Sequence, residues 1–217
     1  MKVDTPFNVQ TEFCMGCGSC ASVCPTGHIK LEDIAATLVK PIPSEYDMGL
    51  TGRKPIYVPY AQAIPNMPAI DRDMCVYFKT GGCQVCTEFC GVDAIDHTQQ
   101  DETIELEVGS IILAPGFQPF DPSGLTHYGY GRHPNVMTAM EFERILSASG
   151  PTLGHLKRPS DGEAPKKIAW IQCVGSREEH RCDHAYCSSV CCMYAIKEAV
   201  IAKEHAGADL DCTIFFM

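Results

Sequence analysis

The chain has no run of about 20 apolar residues, the length needed to cross a bilayer, and its opening Met1-Lys2-Val3-Asp4 carries no secretory signal pattern. A membrane-spanning or exported protein is therefore not expected, and the fourteen cysteines are read as thiols of a reducing cytoplasm rather than as a disulfide scaffold. Basic residues are also scarce. Seventeen Lys and Arg against 27 Asp and Glu leave a formal net charge of -10, which argues against a nucleic-acid backbone or an anionic membrane as the natural partner and favours a protein one. No G-x-G-x-x-G follows a strand pattern: Gly129-Tyr130-Gly131 has Pro134 where the third glycine belongs, so it reads as a turn. No Ser-His-Asp or paired-carboxylate arrangement compels a hydrolytic reading, and the eight histidines are scattered, as structural or solvated residues would be.

What is present is cysteine in an ordered pattern. Cys14, Cys17, Cys20 and Cys24, with Pro25 directly after, spell C-x2-C-x2-C-x3-C-P, the bacterial ferredoxin run that wraps a [4Fe-4S] cubane. Gly16 and Gly18 make the loop pliable enough for three thiolates two residues apart to close on one cubane. A second run holds Cys75, Cys83, Cys86 and Cys90. In two-cluster ferredoxins the last cysteine of each run crosses to the other cluster, which assigns Cys14, Cys17, Cys20 and Cys90 to one cluster and Cys75, Cys83, Cys86 and Cys24 to the other. The second run departs from the pattern, with seven residues between Cys75 and Cys83 and Gly91 where a proline is usual. Zinc is the bland alternative, but it favours two pairs over a three-cysteine loop.

With 217 residues, 45% of them hydrophobic, the chain has material for one or two small cores. The expected architecture is an α+β two-[4Fe-4S] ferredoxin-like domain over 1–102, followed by a partial α/β domain. Within the first domain, Thr26 to Met74 forms an excursion with prolines at 41, 43, 55, 59, 65 and 68. It is expected to run extended over the surface, with a short helix at Leu31 to Val39. Thr103 to Val108 alternates with the period of a half-buried strand, and Ser110 to Ala114 is apolar and ends at Pro115-Gly116 as a buried strand would. A helix is expected from Ala139 to Ser147, opened by a Thr138/Glu141 capping box; the two strands and this helix make up a segment over 103–150. The polar stretch 151–167 reads as a linker. Beyond it, a strand (Ile168 to Gln172), a cysteine-rich loop, a helix (Ser189 to His205) and a strand (Thr213 to Phe216) form one β-α-β unit over 168–217. A lone β-α-β unit needs neighbouring strands, so a fragment or one half of a split subunit is expected.

Six cysteines remain: Cys173, Cys182, Cys187, Cys191, Cys192 and Cys212. Cys187, Cys191 and Cys192 fall around a helix N-terminus, whose dipole favours thiolate and cluster charge, with Cys173 at the end of the preceding strand as a fourth donor. The spacing alone leaves a third cluster, a zinc site drawing on His180 or His184, a redox-active pair and buried small hydrophobes all open.

Taken together, these segments resemble the A subunit of heterodisulfide reductase, an iron-sulfur flavoprotein family of methanogens, sulfate reducers and related anaerobes. The strings that carry the resemblance are YDMGLTGRKPIYVPYAQAIPN (Tyr46 to Asn66), YGYG (Tyr128 to Gly131), NVMTAMEFERILSASGP (Asn135 to Pro151), IQCVGSR (Ile171 to Arg177) and YCSSVCCMYA (Tyr186 to Ala195). The resemblance implies that the ferredoxin domain is an insert in a thioredoxin-reductase-like, Rossmann-type flavin domain, and that Cys173, Cys187, Cys191 and Cys192 hold a third [4Fe-4S] cluster. It leaves Cys182 and Cys212 as ordinary thiols. Pro115 and Gly116 resemble the strand-Ala-Thr-Gly turn near the flavin, with proline in place of threonine. The principal FAD lobe of the family precedes the ferredoxin insert, so this chain alone is expected to retain little or no FAD. The implied function is electron transfer within an FAD-dependent, electron-bifurcating oxidoreductase complex. Its partners would be the other subunits, ferredoxin and a hydrogenase or dehydrogenase donor, with the disulfide of two thiol coenzymes reduced elsewhere and no catalytic residue in this chain. The alternatives from other classes are an independent polyferredoxin-type carrier and a zinc-binding structural module.

Overall fold

A computed structural model describes Val9, Cys14, Cys17 and residues 19–24, 42–207 and 209–217. The chain divides into two compact units, Met1–Ile112 and Leu113–Met217.

Among the described residues, the elements of the first unit are very short, with prolines and turn residues between many of them. Helix α1 (Ser19–Val23) carries the end of the first cysteine run. Two antiparallel pairs follow, β1 (Ile42–Pro43) with β2 (Gly52–Arg53) and β3 (Ile56–Tyr57) with β4 (Ala69–Ile70). The turn between β1 and β2 is closed by Ser44 and Thr51 backbone pairing at 2.8 Å and by the Thr51 hydroxyl donating to Asp47 at 2.6 Å. Helices α2 (Val76–Thr80) and α3 (Val85–Glu88) carry the second cysteine run. Gly81, at φ 72°, stops α2 in the left-handed region by donating its N–H to the Tyr77 carbonyl. An antiparallel bridge joins Val9 to Ile95.

The described part of the excursion, residues 42–74, expected to lie over the surface, forms a wall of this core. Ile56 and Ile70 are register partners, so their side chains share one face of the β3–β4 pair. They pack with Val9, Cys20, Cys24, Met67, Ala94 and Ile95, and Phe78 joins from α2. Pro55 and Pro68 are fully buried. The segment is extended rather than helical, as expected, and part of it is also buried, because proline excludes helix but not burial and two-residue strands are long enough to present one apolar face. The expected helix at Leu31 to Val39 lies outside the described residues.

The excursion is tied down by charge. The Arg53 guanidinium, 10% exposed, donates through Nε and Nη2 to Glu45 at 2.6 Å each and through Nη2 to Asp71 at 2.9 Å, and it lies 4.0 Å over the Tyr57 ring. Asp71 in turn accepts the Cys75 N–H on its carbonyl at 2.9 Å and the Met74 N–H on its carboxylate at 3.1 Å. Lys54 donates to the Ser22 carbonyl of α1 at 2.8 Å. The excursion thus meets both cysteine runs.

In the second unit, α4 (Ala139–Leu146) begins at the expected capping box. The Glu141 N–H donates to Thr138 Oγ1 and the Glu141 carboxylate accepts the Thr138 N–H. Gly150 closes the helix tightly, since a Cβ there would stand 1.7 Å from the Arg144 carbonyl oxygen. Two hydrogen bonds between Asn135 and Ser160 hold the following polar stretch. Strands β5 (Lys167–Ile171) and β6 (Asp211–Phe215) pair in parallel from Lys167↔Asp211 to Ile171↔Phe215. The short helix α5 (Glu179–Cys182) and the crossover helix α6 (Cys191–Ala206) lie between them in the chain. Buried Ala195 and Ala202 give α6 a flat contact face. Trp170 of β5 meets Phe142 of α4 edge-on at 5.7 Å and donates its indole N–H to Glu198 of α6 at 2.8 Å.

The strands expected at Thr103 to Val108 and Ser110 to Ala114 are not formed: residues 104–120 carry no strand, and Leu106, Ile111, Leu113 and Ile112 are exposed, the last at 92%. Alternation and apolarity specify which face a strand would bury, but a strand exists only when its backbone N–H and C=O groups are paired. No described strand pairs with this run.

Candidate functional site

The two cysteine runs meet in the core of the first unit. Cys24, Cys75, Cys83 and Cys86 line one cavity whose remaining walls are Pro55, Ile56, Ile70, Val76 and His97. Three of the four come from α2, α3 and their flanks, and Cys24 comes from the end of α1. Burial raises the Cys75 thiol, and the nearby Cys24 and Cys83 thiols raise it further. Burial likewise raises Cys86, reinforced by Cys75 and Cys24 and opposed by the hydroxyl and backbone of Thr87.

Cys20 belongs to a neighbouring set. Burial pushes its thiol up to about 11, and Cys86, Cys14 and Cys90 add to the shift against a backbone hydrogen bond at Ala21. The Cys90 sulfur accepts the Ala94 N–H at 3.3 Å. Cys17 is exposed, with its sulfur 3.4 Å from the Ser19 hydroxyl, which lowers its pKa.

A third group gathers in the second unit, on the loop between β5 and α6. Cys191 and Cys192 open α6, while Cys173 and Ser189 sit at φ 62° and 65°, so the loop is coiled tightly on both sides of the cysteines. Cys192 is raised first by local desolvation and then by the thiols of Cys191, Cys173 and Cys187. Desolvation opposes ionisation of Cys191 as well, but hydrogen bonds with the Cys173 backbone, Ser188 and Cys192 outweigh it and lower the pKa. The Cys187 sulfur accepts the Ser189 N–H at 3.3 Å. Gln172 ties the strand end to this place by donating to the Cys191 carbonyl at 3.3 Å. Gly175, at φ 79°, leaves no room for a side chain, because a Cβ would lie 2.2 Å from the Phe120 ring. Cys182 ends α5, and Cys212 sits on β6 beside Lys203 and Asp211.

The donor chemistry suits iron and sulfide. Four soft thiols facing one apolar cavity match the ligand set of a [4Fe-4S] cubane. Several thiols raised by burial and by one another are held as thiolates only with cationic metal among them. Among the described residues, no three His, Cys, Asp or Glu side chains close on one point as a single metal ion requires. The residues do not fit a flavin in the same way. Pro115 and Gly116 lie on the exposed segment that carries no strand, so nothing among the described residues aims this turn at an isoalloxazine ring. No described helix is long and apolar enough to cross a membrane.

His97 is the site residue that sequence reasoning passed over. It falls outside every cysteine spacing rule, and it reaches the cavity only because the chain after Cys90 folds back over α2.

A 4Fe-4S binding domain family model matches residues 7–29. Over 212 residues, 98% of this chain and 29% of the relative, the sequence is 42% identical to the A subunit of the H(2):CoB-CoM heterodisulfide,ferredoxin reductase of Methanothermobacter marburgensis. It is 44% identical over 200 residues, 92% of this chain and 27% of the relative, to the iron-sulfur A subunit of the CoB--CoM heterodisulfide reductase of Methanocaldococcus jannaschii. The A subunit of the Ferredoxin/F(420)H(2)-dependent CoB-CoM heterodisulfide reductase of Methanosarcina acetivorans is 40% identical over 213 residues, 98% of this chain and 24% of its own length. The chain thus spans about a quarter of the length of the curated relatives it matches.

Proposed function

This chain belongs to the A-subunit family of heterodisulfide reductases, and on that premise we propose that it is an electron-transfer segment of such an oxidoreductase, holding three [4Fe-4S] clusters. Cys14, Cys17, Cys20 and Cys90 hold the first, Cys24, Cys75, Cys83 and Cys86 the second, and Cys173, Cys187, Cys191 and Cys192 the third. The observation that carries the reading is the convergence of Cys24 with Cys75, Cys83 and Cys86 on one cavity, since it joins the two runs in the crossed manner of a two-cluster ferredoxin. When bound, such clusters accept and release single electrons with little ligand movement.

The rest of the task falls to the protein. Ile56, Ile70 and Pro55 exclude water from one side of the second site. The Ala94 N–H at Cys90 and the Ser189 N–H at Cys187 place hydrogen bonds on the sulfurs, which stabilises negative charge there. The Arg53 fork to Glu45 and Asp71 fixes the wall of the cavity against the segment that starts the second run.

In the assembled enzyme an FAD, if held by further parts of the complex, would supply the two-electron chemistry, and the cysteine sites named above would serve as its single-electron partners, in an electron-bifurcating complex with further subunits, ferredoxin and a hydrogenase or dehydrogenase donor. This chain alone is expected to retain little or no flavin. Anaerobic purification and reconstitution test the whole reading: about twelve iron and twelve sulfide per chain are expected for three cubanes, with flavin well below one per chain. About eight of each would remove the Cys173 group from the ligand set, and stoichiometric flavin would overturn the placement of FAD.

A further inference from the structure

The imidazole of His97 is held against the second cysteine cavity by aromatic packing. Its Nε2 lies 3.8 Å from Cys86 Sγ, its ring packs at a tilt against Tyr77 at 4.0 Å between centroids, and Phe78 lies beside it at 5.6 Å. Arg72 in turn lies 5.2 Å over Phe78 and donates to the Gln99 carbonyl, so the segment after His97 is anchored to the same aromatic group. The residue before it, Asp96, is occupied by the Thr98 N–H at 2.8 Å and the Thr98 hydroxyl at 2.7 Å. His97 is thus positioned by neighbours on both sides, with one ring nitrogen pointing at a ligand sulfur.

We propose that His97 is a potential-setting residue: its Nε2–H donates a hydrogen bond to the Cys86 thiolate and favours the reduced state of the cluster held by Cys24, Cys75, Cys83 and Cys86. This rests on the cluster assignment proposed above. A metal-bound thiolate has no proton to give, so a contact between it and an imidazole nitrogen is favourable only when that nitrogen carries the hydrogen. Adding one electron to the cluster forms and breaks no bond, but it raises the negative charge on the sulfurs, and a donor is then worth more than before. A donor present in both states therefore favours the reduced one.

The test uses the reconstituted full chain, with dye-mediated reduction followed by electron paramagnetic resonance. In H97F, which keeps an aromatic ring against Tyr77 and removes the donor, one of the cluster signals is expected to become harder to reduce by about tenfold in equilibrium constant, or about 59 mV for one electron. Iron content should be unchanged. H97Q, which restores an N–H, should recover part of the shift. An unchanged potential in H97F at full iron content would overturn the donor role. Loss of about four iron in H97F together with H97Q would also overturn it, by making His97 a ligand or a packing residue. If the wild-type chain binds no iron at all, the cluster assignment itself fails and the role of His97 falls with it.

Discussion

The cysteines of the first unit are on the whole deeper than those of the second. In the first, Cys20 and Cys24 are core residues, and Cys14, Cys75, Cys86 and Cys90 pack against the same apolar group. In the second, Cys187 and Cys192 are exposed and the site is a coiled loop at the start of one helix. A buried site is held by the same contacts that hold the fold, so ligand and core cannot be separated. A loop site is held by backbone geometry, by Gln172 and by the helix end, and it can be emptied while the sheet behind it stands. Solvent exposure is also one of the levers on cluster potential, so the two kinds of site are suited to different positions in an electron path.

The largest effect expected from breaking this contrast comes from the proposed ligands. C86A should remove about four iron per chain and also lower the thermal stability of the first unit, whereas C192A should remove about four iron and leave the melting of both units nearly unchanged. Iron analysis with calorimetry checks both, and equal destabilisation by the two variants would erase the distinction. Next in size is I56A. Ile56 is 2% exposed and forms both core and cavity wall, so truncation should cost about 2–5 kcal/mol and reduce occupancy of the second site, as read by denaturant titration and iron content.

In the second unit the corresponding weak point is polar. Trp170→Phe removes the donor to a buried carboxylate and should cost about 1–3 kcal/mol. Burial pushes that carboxylate, Glu198, from 4.5 up to about 7 despite the indole hydrogen bond, with Glu143 adding to the shift. The fold therefore binds its proton more tightly than the unfolded chain does. The resulting stability is full below pH 4.5 and is lost as pH rises through about 7. E198Q, neutral at every pH, should flatten this slope and be more stable than the wild type at about pH 8; a parallel pH profile in urea denaturation would show that Glu198 is not the titrating group. The smallest effect is T138A, which loses one cap of α4 at about 1 kcal/mol with no change in iron content.

The capping box at Thr138, the β-α-β order from Lys167 to Phe215 and the cysteine spacings were all legible in the sequence, because each depends on residues close in sequence or on a strong periodicity. The role of the proline-rich excursion was not, since nothing in its composition says that Ile56 and Ile70 face the cysteines; that follows from register across a pair of two-residue strands. The run from Ile104 to Leu113 shows the converse, where a clear strand pattern is present and no described strand pairs with it.

The sequence by itself determined which atoms are available: soft sulfur donors in sets of four, an acidic surface and one helix N-terminus beside two cysteines. These are local facts of composition and spacing, and they do not depend on how the chain turns. Only the tertiary structure decided which donors meet and what surrounds them. Cys24 reaches Cys75, Cys83 and Cys86 across more than fifty residues, and His97, Ile56 and Ile70 close the cavity. Closing a loop of that length costs conformational entropy that no local motif repays, so the meeting is carried by the packing and the charge pairs of the excursion itself.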